Sequence, residues 1–159
     1  MRRSWVPLLI APLLAALAAT PIAQTPAKAT GRVIDIEATD QMKYSVTTIN
    51  AKPGEPLVVR LKVVSAAPKV AMAHNFVLFS SKATPKQLAD FAQAGTSKGP
   101  VTFIPDDMKS LVIAYTPMVG GGQTVDAKFN APKEPGTYPY LCSFTAHYMV
   151  GMKGNLIVK

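Results

Sequence analysis

The 159-residue sequence holds a single cysteine, Cys142, so it can form no intrachain disulfide. It holds only two histidines, His74 and His147. It has no apolar run of membrane-spanning length: Val6–Ala19 covers 14 residues and is interrupted by Pro7 and Pro12, whereas a spanning helix needs about 20. Basic runs are missing as well. The 17 Lys and Arg residues are scattered, with no RNA-binding motif among them, which argues against a nucleic-acid partner. No internal repeat is visible.

What the N-terminus does contain suits export. Arg2 and Arg3 precede the apolar run and small residues follow it. This is the layout of a signal peptide, with Ala27-Lys28-Ala29 fitting the cleavage pattern and Ala16-Leu17-Ala18 offering a second site. Arg2-Arg3 alone is weak support for the twin-arginine route. No cysteine follows the run closely, which excludes lipid attachment there. The expectation is a signal peptide and lead-in over residues 1–29, a periplasmic or otherwise exported location, and no stable membrane insertion after cleavage. Residues 30–159 then form one domain, long enough for a proper core. They carry 14 basic and nine acidic residues, a net charge of +5, which favours acidic partners or anionic surfaces through long-range steering. Exported domains of this size often carry disulfides. A lone thiol there must be buried, paired with another chain, or occupied.

Beyond Thr30 the pattern is β. Arg32–Ala38 alternates with period two, Tyr44–Ile49 is a β-branched run, and Leu57–Val64 alternates again. His74–Phe79 is apolar and aromatic, as an inner strand would be. Further strands are expected at Leu111–Tyr115, Thr124–Phe129, Thr137–Cys142 and Asn155–Val158, with turns at Pro53-Gly54, Gly120-Gly121-Gly122 and Pro135-Gly136. One helix is predicted over Pro85–Ala94. Thr84 caps it, Pro85 suits its first position, Leu88, Phe91 and Ala92 form one apolar face, and Gly95 ends it. Seven to eight short strands with one helical insertion imply an all-β Greek-key sandwich or barrel.

The chemistry-bearing residues converge on one loop. Cys142 ends a predicted strand, His147 follows on the connection, and Met152 stands near the next strand, in a C-x4-H-x4-M spacing. Thiolate, imidazole and thioether are soft or borderline ligands, a set that selects copper. A trigonal copper centre wants a second imidazole, and the chain offers only His74, in Met72-Ala73-His74-Asn75-Phe76-Val77. Strands far apart in sequence are neighbours in a Greek key.

With these motifs the chain resembles the cupredoxins, the blue copper proteins, and within them the azurins and auracyanins. Met72–Leu78 is similar to the family's first-histidine strand, Pro105-Asp106-Asp107 with Leu111–Thr116 to its middle strand, and Cys142–Gly154 to its ligand loop ending in Met-Lys-Gly. The resemblance implies one type 1 copper ion held by His74, Cys142, His147 and Met152. It implies one-electron transfer rather than enzyme catalysis. It also implies a monomer whose redox partner proteins dock near His147, over an apolar patch drawn from Met72, Pro117, Met118, Val119, Phe144, Ala146 and Tyr148. Asn75 would tie the two ligand segments together through Ser143. Ala73 stands where azurins have a glycine whose carbonyl approaches the copper. The departures are Phe76 for tryptophan, Thr145-Ala146 for Pro-Gly, the missing azurin disulfide, and a histidine-to-methionine spacing one residue longer than in azurin. The longer spacing makes Met149 a rival axial ligand, although Met-Lys-Gly favours Met152.

Taken singly, each of these residues has an ordinary reading. Free cysteine and methionine are common core residues. Two other functions remain open on the residues alone: a copper carrier or store without electron relay, and a cysteine-nucleophile enzyme using Cys142 and His147. The scattered methionines speak against the first, and the absence of a cysteine-hydrolase signature around Cys142 against the second.

Overall fold

The computed structural model describes residues 31–97 and 104–159. The expected signal peptide and lead-in lie outside the described residues. Nine strands are present among those described: β1 (Arg32–Thr39), β2 (Lys43–Tyr44), β3 (Thr48–Ala51), β4 (Pro56–Val64), β5 (Val77–Phe79), β6 (Val112–Tyr115), β7 (Thr124–Asn130), β8 (Gly136–Leu141) and β9 (Lys153–Val158). One helix, α1 (Pro85–Ser97), and a 3-10 turn at Asp106–Leu111 interrupt them. The strands form two sheets, β2-β1-β4-β7 and β3-β9-β8-β5-β6. β1 runs parallel to β4 and β3 parallel to β9, while the other pairs are antiparallel. This is the expected β-sandwich with a helical insertion.

Sequence alternation explains the first sheet. On β1, Ile36 and Ala38 turn inward and are fully buried, while Asp35 and Glu37 face water. The outer face is laced by charge pairs. Lys62 Nζ lies 3.1 Å from Glu37 Oε1, and the Arg60 guanidinium donates to both Asp126 oxygens at 3.0 and 3.1 Å. Between the sheets, Ile36, Leu57, Val59, Leu61, Phe76, Leu78, Tyr140 and Leu156 make the main core.

In the second sheet β5 departs from simple alternation because it is covered on both faces. Val77, Leu78 and Phe79 are all fully buried. Leu78 faces the main core, whereas Val77, Phe79 and Leu141 pack with Leu88 and Phe91 of α1. The Phe79 and Phe91 rings meet edge to face at 4.7 Å. A strand covered on both sides reads as a continuous apolar run, and each such side chain contributes about 1.5–3 kcal/mol by burial.

Local differences from the sequence reading have identifiable causes. The Tyr44–Ile49 run is two strands rather than one. Ser45 N–H still bonds Glu37 of the first sheet (2.9 Å), but Thr47 O accepts from Asn155 of the second (2.9 Å), so the chain changes sheets between them. The His74–Phe79 strand is regular only from Val77, because Phe76 N–H donates to the Thr116 hydroxyl (2.9 Å) rather than to a strand carbonyl. The middle strand starts at Val112, since Leu111 closes the 3-10 turn. Helix α1 begins as expected: Thr84 Oγ1 accepts from Gln87 N–H (3.2 Å) and Gln87 Oε1 from Thr84 N–H (2.9 Å), a reciprocal cap. It does not stop at Gly95 but runs to Ser97. An interior glycine costs about 1 kcal/mol, less than burial of Phe91 alone returns.

Candidate metal centre

His74 is placed without a regular strand. Its N–H donates to Val119 O (2.9 Å) and its carbonyl accepts from Val119 N–H (3.0 Å), a single bridge at one end of the sandwich. Ala73, His74 and Asn75 are all buried there. Asn75 then reaches across 68 residues of sequence to Ser143. Its Nδ2 donates to Ser143 Oγ and its Oδ1 accepts from Ser143 N–H, both at 2.9 Å. The expected tie between the two ligand segments is therefore present as two hydrogen bonds.

The second segment folds on itself. β8 ends at Leu141, and the Cys142 N–H bonds Met152 O (3.1 Å), which closes residues 143–151 into a loop. Inside it, His147 N–H bonds Phe144 O (3.1 Å) and Met152 N–H bonds His147 O (2.9 Å). Two tight bends make this possible, at Ala146 (φ 66°) and Gly151 (φ 95°). The loop rejoins β9 at Gly154, where a Cβ would collide with the end of the Tyr140 ring and lie 2.6 Å from Thr47 O. The glycine of the Met-Lys-Gly motif is thus a packing requirement.

These two constructions bring three ligand atoms together. Cys142 Sγ lies 3.9 Å from His74 Nδ1 and 3.5 Å from His147 Nδ1, and the three residues' ligand atoms fall within 4.8 Å of one another. A metal bonding nitrogen at about 2.0 Å and sulfur at about 2.3 Å separates such atoms by about 3.5–4 Å, so the spacing fits a shared ion. The two imidazoles lie with ring centroids 4.8 Å apart, and Phe144 flanks His147 at the same distance. Met152 is completely buried in the same cluster as Cys142, whereas Met149 is 73 % exposed. Burial therefore separates the two rival methionines.

Burial shifts the protonation of all three converging groups toward their neutral forms. Burial pushes both histidines down to about 4, with His74 adding a repulsive contribution at His147 and Asp40 a small opposing one at His74. The rings are neutral at pH 7 and their nitrogens can ligate. Burial also pushes the Cys142 thiol up to about 12, although the backbone N–H groups of Asn75 and Phe144 favour its thiolate. A bound cation would offset that desolvation. His74 Nε2 is buried without a hydrogen-bond partner.

A model of copper-binding proteins of the plastocyanin/azurin family matches residues 32–159. The chain belongs to that family. Azurin of Pseudomonas aeruginosa is 31% identical over 149 residues, covering 92% of this chain and 97% of that protein. Auracyanin-A of Chloroflexus aurantiacus is 34% identical over 120 residues, covering 75% and 68%. Among solved structures, the blue copper protein auracyanin A superimposes with a TM-score of 0.71 at 33% identity over 80% of this chain and 98% of that one. Reduced auracyanin of Roseiflexus castenholzii gives 0.70 at 31% identity over 83% and 99%. The cofactor of this cupredoxin is copper, and His74, Cys142, His147 and Met152 fit a type 1 copper site.

The surface around the site differs from the expected patch. Ala146 and Pro117 are exposed and Met72, Phe144 and Tyr148 half-buried, but Met118 and Val119 are buried. Val119 packs into the main core beside the His74 bridge. Two exposed neighbours were left out of the expected patch: Met149, read only as a rival axial ligand, and Val150. Tyr44 was missed as well. It is buried, and its hydroxyl donates to the Asn75 carbonyl. A tyrosine in an inward-facing strand position is itself a signal, since a buried phenol needs a partner. No helix among the described residues is long and apolar enough to cross a membrane.

Proposed function

We propose that the protein is an exported one-electron carrier, with residues 1–29 as signal peptide and lead-in, residues 30–159 as a single domain, and His74, Cys142, His147 and Met152 as the copper ligands. The observation that carries this reading is the convergence of two neutral Nδ1 atoms on one buried thiol, at 3.9 and 3.5 Å, in a member of a copper-binding family. Copper bound there supplies a Cu(II)/Cu(I) couple. The chain's own contribution is rigidity. His74 is fixed by the Val119 bridge, Cys142 by the Met152 carbonyl and His147 by the Phe144 carbonyl, so the ligands need not rearrange when charge changes. Water is excluded from Cys142 and His74, both 0 % exposed. His147 belongs to the loop that exposes Ala146, Met149 and Val150, which supports this end of the site as the electron's path to docked redox proteins. We take the carrier to be a monomer without enzymatic activity or nucleic-acid binding.

The deciding experiment is the visible absorption spectrum after Cu(II) addition, beside a Cys142→Ser control. An intense blue band, absent from the control, that bleaches on reduction and returns on oxidation is expected. A colourless protein whose thiol stays alkylatable in the presence of copper would overturn the reading.

A further inference from the structure

One buried hydroxyl near the centre has no part in the ligand set. Tyr44 belongs to the two-residue strand β2, which pairs with β1 in the first sheet. Its side chain crosses the core to the ligand segment that precedes the second sheet, where the hydroxyl donates to the backbone carbonyl of Asn75. The preceding peptide group and the side chain of the same residue both face the site. The Asn75 N–H faces the Cys142 sulfur. The Asn75 side chain holds Ser143 by two hydrogen bonds of 2.9 Å. Three contacts at the metal centre therefore depend on how one residue is oriented, and Tyr44 grips that residue from behind.

We propose that Tyr44 is a positioning residue of the copper centre: by holding the Asn75 carbonyl it keeps the Asn75 N–H aimed at the Cys142 sulfur, and so sets the redox balance of the site. An N–H donated to a thiolate takes up part of its negative charge. The sulfur then stabilises the more positive metal state less, and reduction becomes easier. The phenol is a dependable donor because burial raises its pKa well above the usual phenol value and keeps the O–H protonated. Tyr140 offers an internal control. It is also buried, its ring lies 5.7 Å from that of Tyr44, and its hydroxyl donates to Val46 O at 2.7 Å rather than to Asn75.

The proposal rests on the copper reading above, so the test includes one measurement without the metal. Tyr44→Phe and Tyr140→Phe each remove one phenol hydrogen bond and keep the ring. In the copper-loaded protein, titrated against a redox mediator, Tyr44→Phe is expected to shift the Cu(II)/Cu(I) ratio about threefold toward Cu(II), about 28 mV at 59 mV per tenfold. In the copper-free protein, hydrogen exchange at the Asn75 N–H is expected to quicken severalfold. Tyr140→Phe should lower thermal stability comparably and move neither quantity. The proposal fails if Tyr44→Phe lowers the melting temperature alone, or if Tyr140→Phe shifts both quantities as much. If the wild-type protein binds no copper, the site reading fails, and Asn75 exchange alone decides the role of Tyr44: quickened exchange upholds it and unchanged exchange overturns it.

Discussion

The two halves of the metal centre are secured by different means. His74 and its neighbours Ala73 and Asn75 are wholly inside the protein and are held by contacts to other parts of the chain: Val119, Tyr44 and Ser143. The 142–152 loop is held mostly by itself, through the Cys142–Met152, His147–Phe144 and Met152–His147 backbone bonds. It exposes Met149 and Val150 and carries a non-glycine residue at positive φ, Ala146. One half is thus imposed by tertiary structure, and the other is a local design that tolerates strain and solvent. The strand half needs the rest of the fold. The loop half needs its own turns, with Asn75 joining the two.

Acid offers the broadest way to break both halves at once. In the copper-free protein, burial holds His74 and His147 down to about 4 from 6.5, and Cys142 up to about 12 from 9. As pH falls below 6.5 the unfolded chain takes up protons on both histidines, while the folded chain does not until about 4. The unfolded state then binds more protons, so stability is fully present above 6.5 and is lost as pH falls toward 4. The thiol acts on the alkaline side. Its contribution is present below 9 and is lost as pH rises toward 12. Denaturant midpoints of the copper-free protein should form a plateau between pH 6.5 and 9 and fall on both sides. Because one histidine lies in each half with the same displacement, His74→Gln and His147→Gln should each remove about half of the acid sensitivity. Acid sensitivity confined to one of them would end the symmetry.

The join can be cut directly. Asn75→Leu removes two hydrogen bonds worth about 1 kcal/mol each and takes the side-chain acceptor from the buried Ser143 N–H, a further 1–3 kcal/mol, so a loss of about 3–5 kcal/mol is expected. Ser143→Ala removes the hydroxyl that accepts from the buried Asn75 Nδ2 and keeps the bond from the Ser143 N–H, so a smaller loss of about 1–3 kcal/mol is expected. Chemical denaturation of the copper-free variants measures both. Equal losses would mean that the backbone bond from Ser143 to Asn75 Oδ1 contributes nothing to holding the halves together.

This division also explains what could be read from the sequence. The ligand trio was legible because the chain has one cysteine and two histidines, so their types and spacing left almost no choice. The loop half was legible in detail because its C-x4-H-x4-M pattern is local. Helix α1 announced its start through Thr84-Pro85, but its end depends on packing of Leu88 and Phe91 that no local residue encodes. The break of the Tyr44–Ile49 run between two sheets was invisible, since β-branched residues suit either sheet and only the pairings of Ser45 and Thr47 decide. The same applies to Val119, which packs into the main core. Choosing Met152 over Met149 rested on a motif, and burial supplies the physical reason.

The finest test applies one substitution to both halves and looks for opposite signs. Ala146 lies at φ 66°, in the left-handed region, and is exposed. An L-residue there carries about 1–2 kcal/mol of steric strain. Glycine removes it but adds about 0.4–1 kcal/mol of unfolded-state entropy, so Ala146→Gly should stabilise the copper-free protein by about 0.5 kcal/mol. Ala73 has no positive φ and is 1 % exposed. Ala73→Gly gains nothing from strain relief, loses a buried methyl of about 0.8 kcal/mol, and adds flexibility costing about 0.5–1 kcal/mol. It should destabilise by about 1–2 kcal/mol. Paired thermal melts of the two variants read the difference. Stabilisation at Ala146 with destabilisation at Ala73 means that the loop stores strain where the strand half stores packing. Destabilisation at both would mean that the loop, too, is shaped by contacts beyond its own turns.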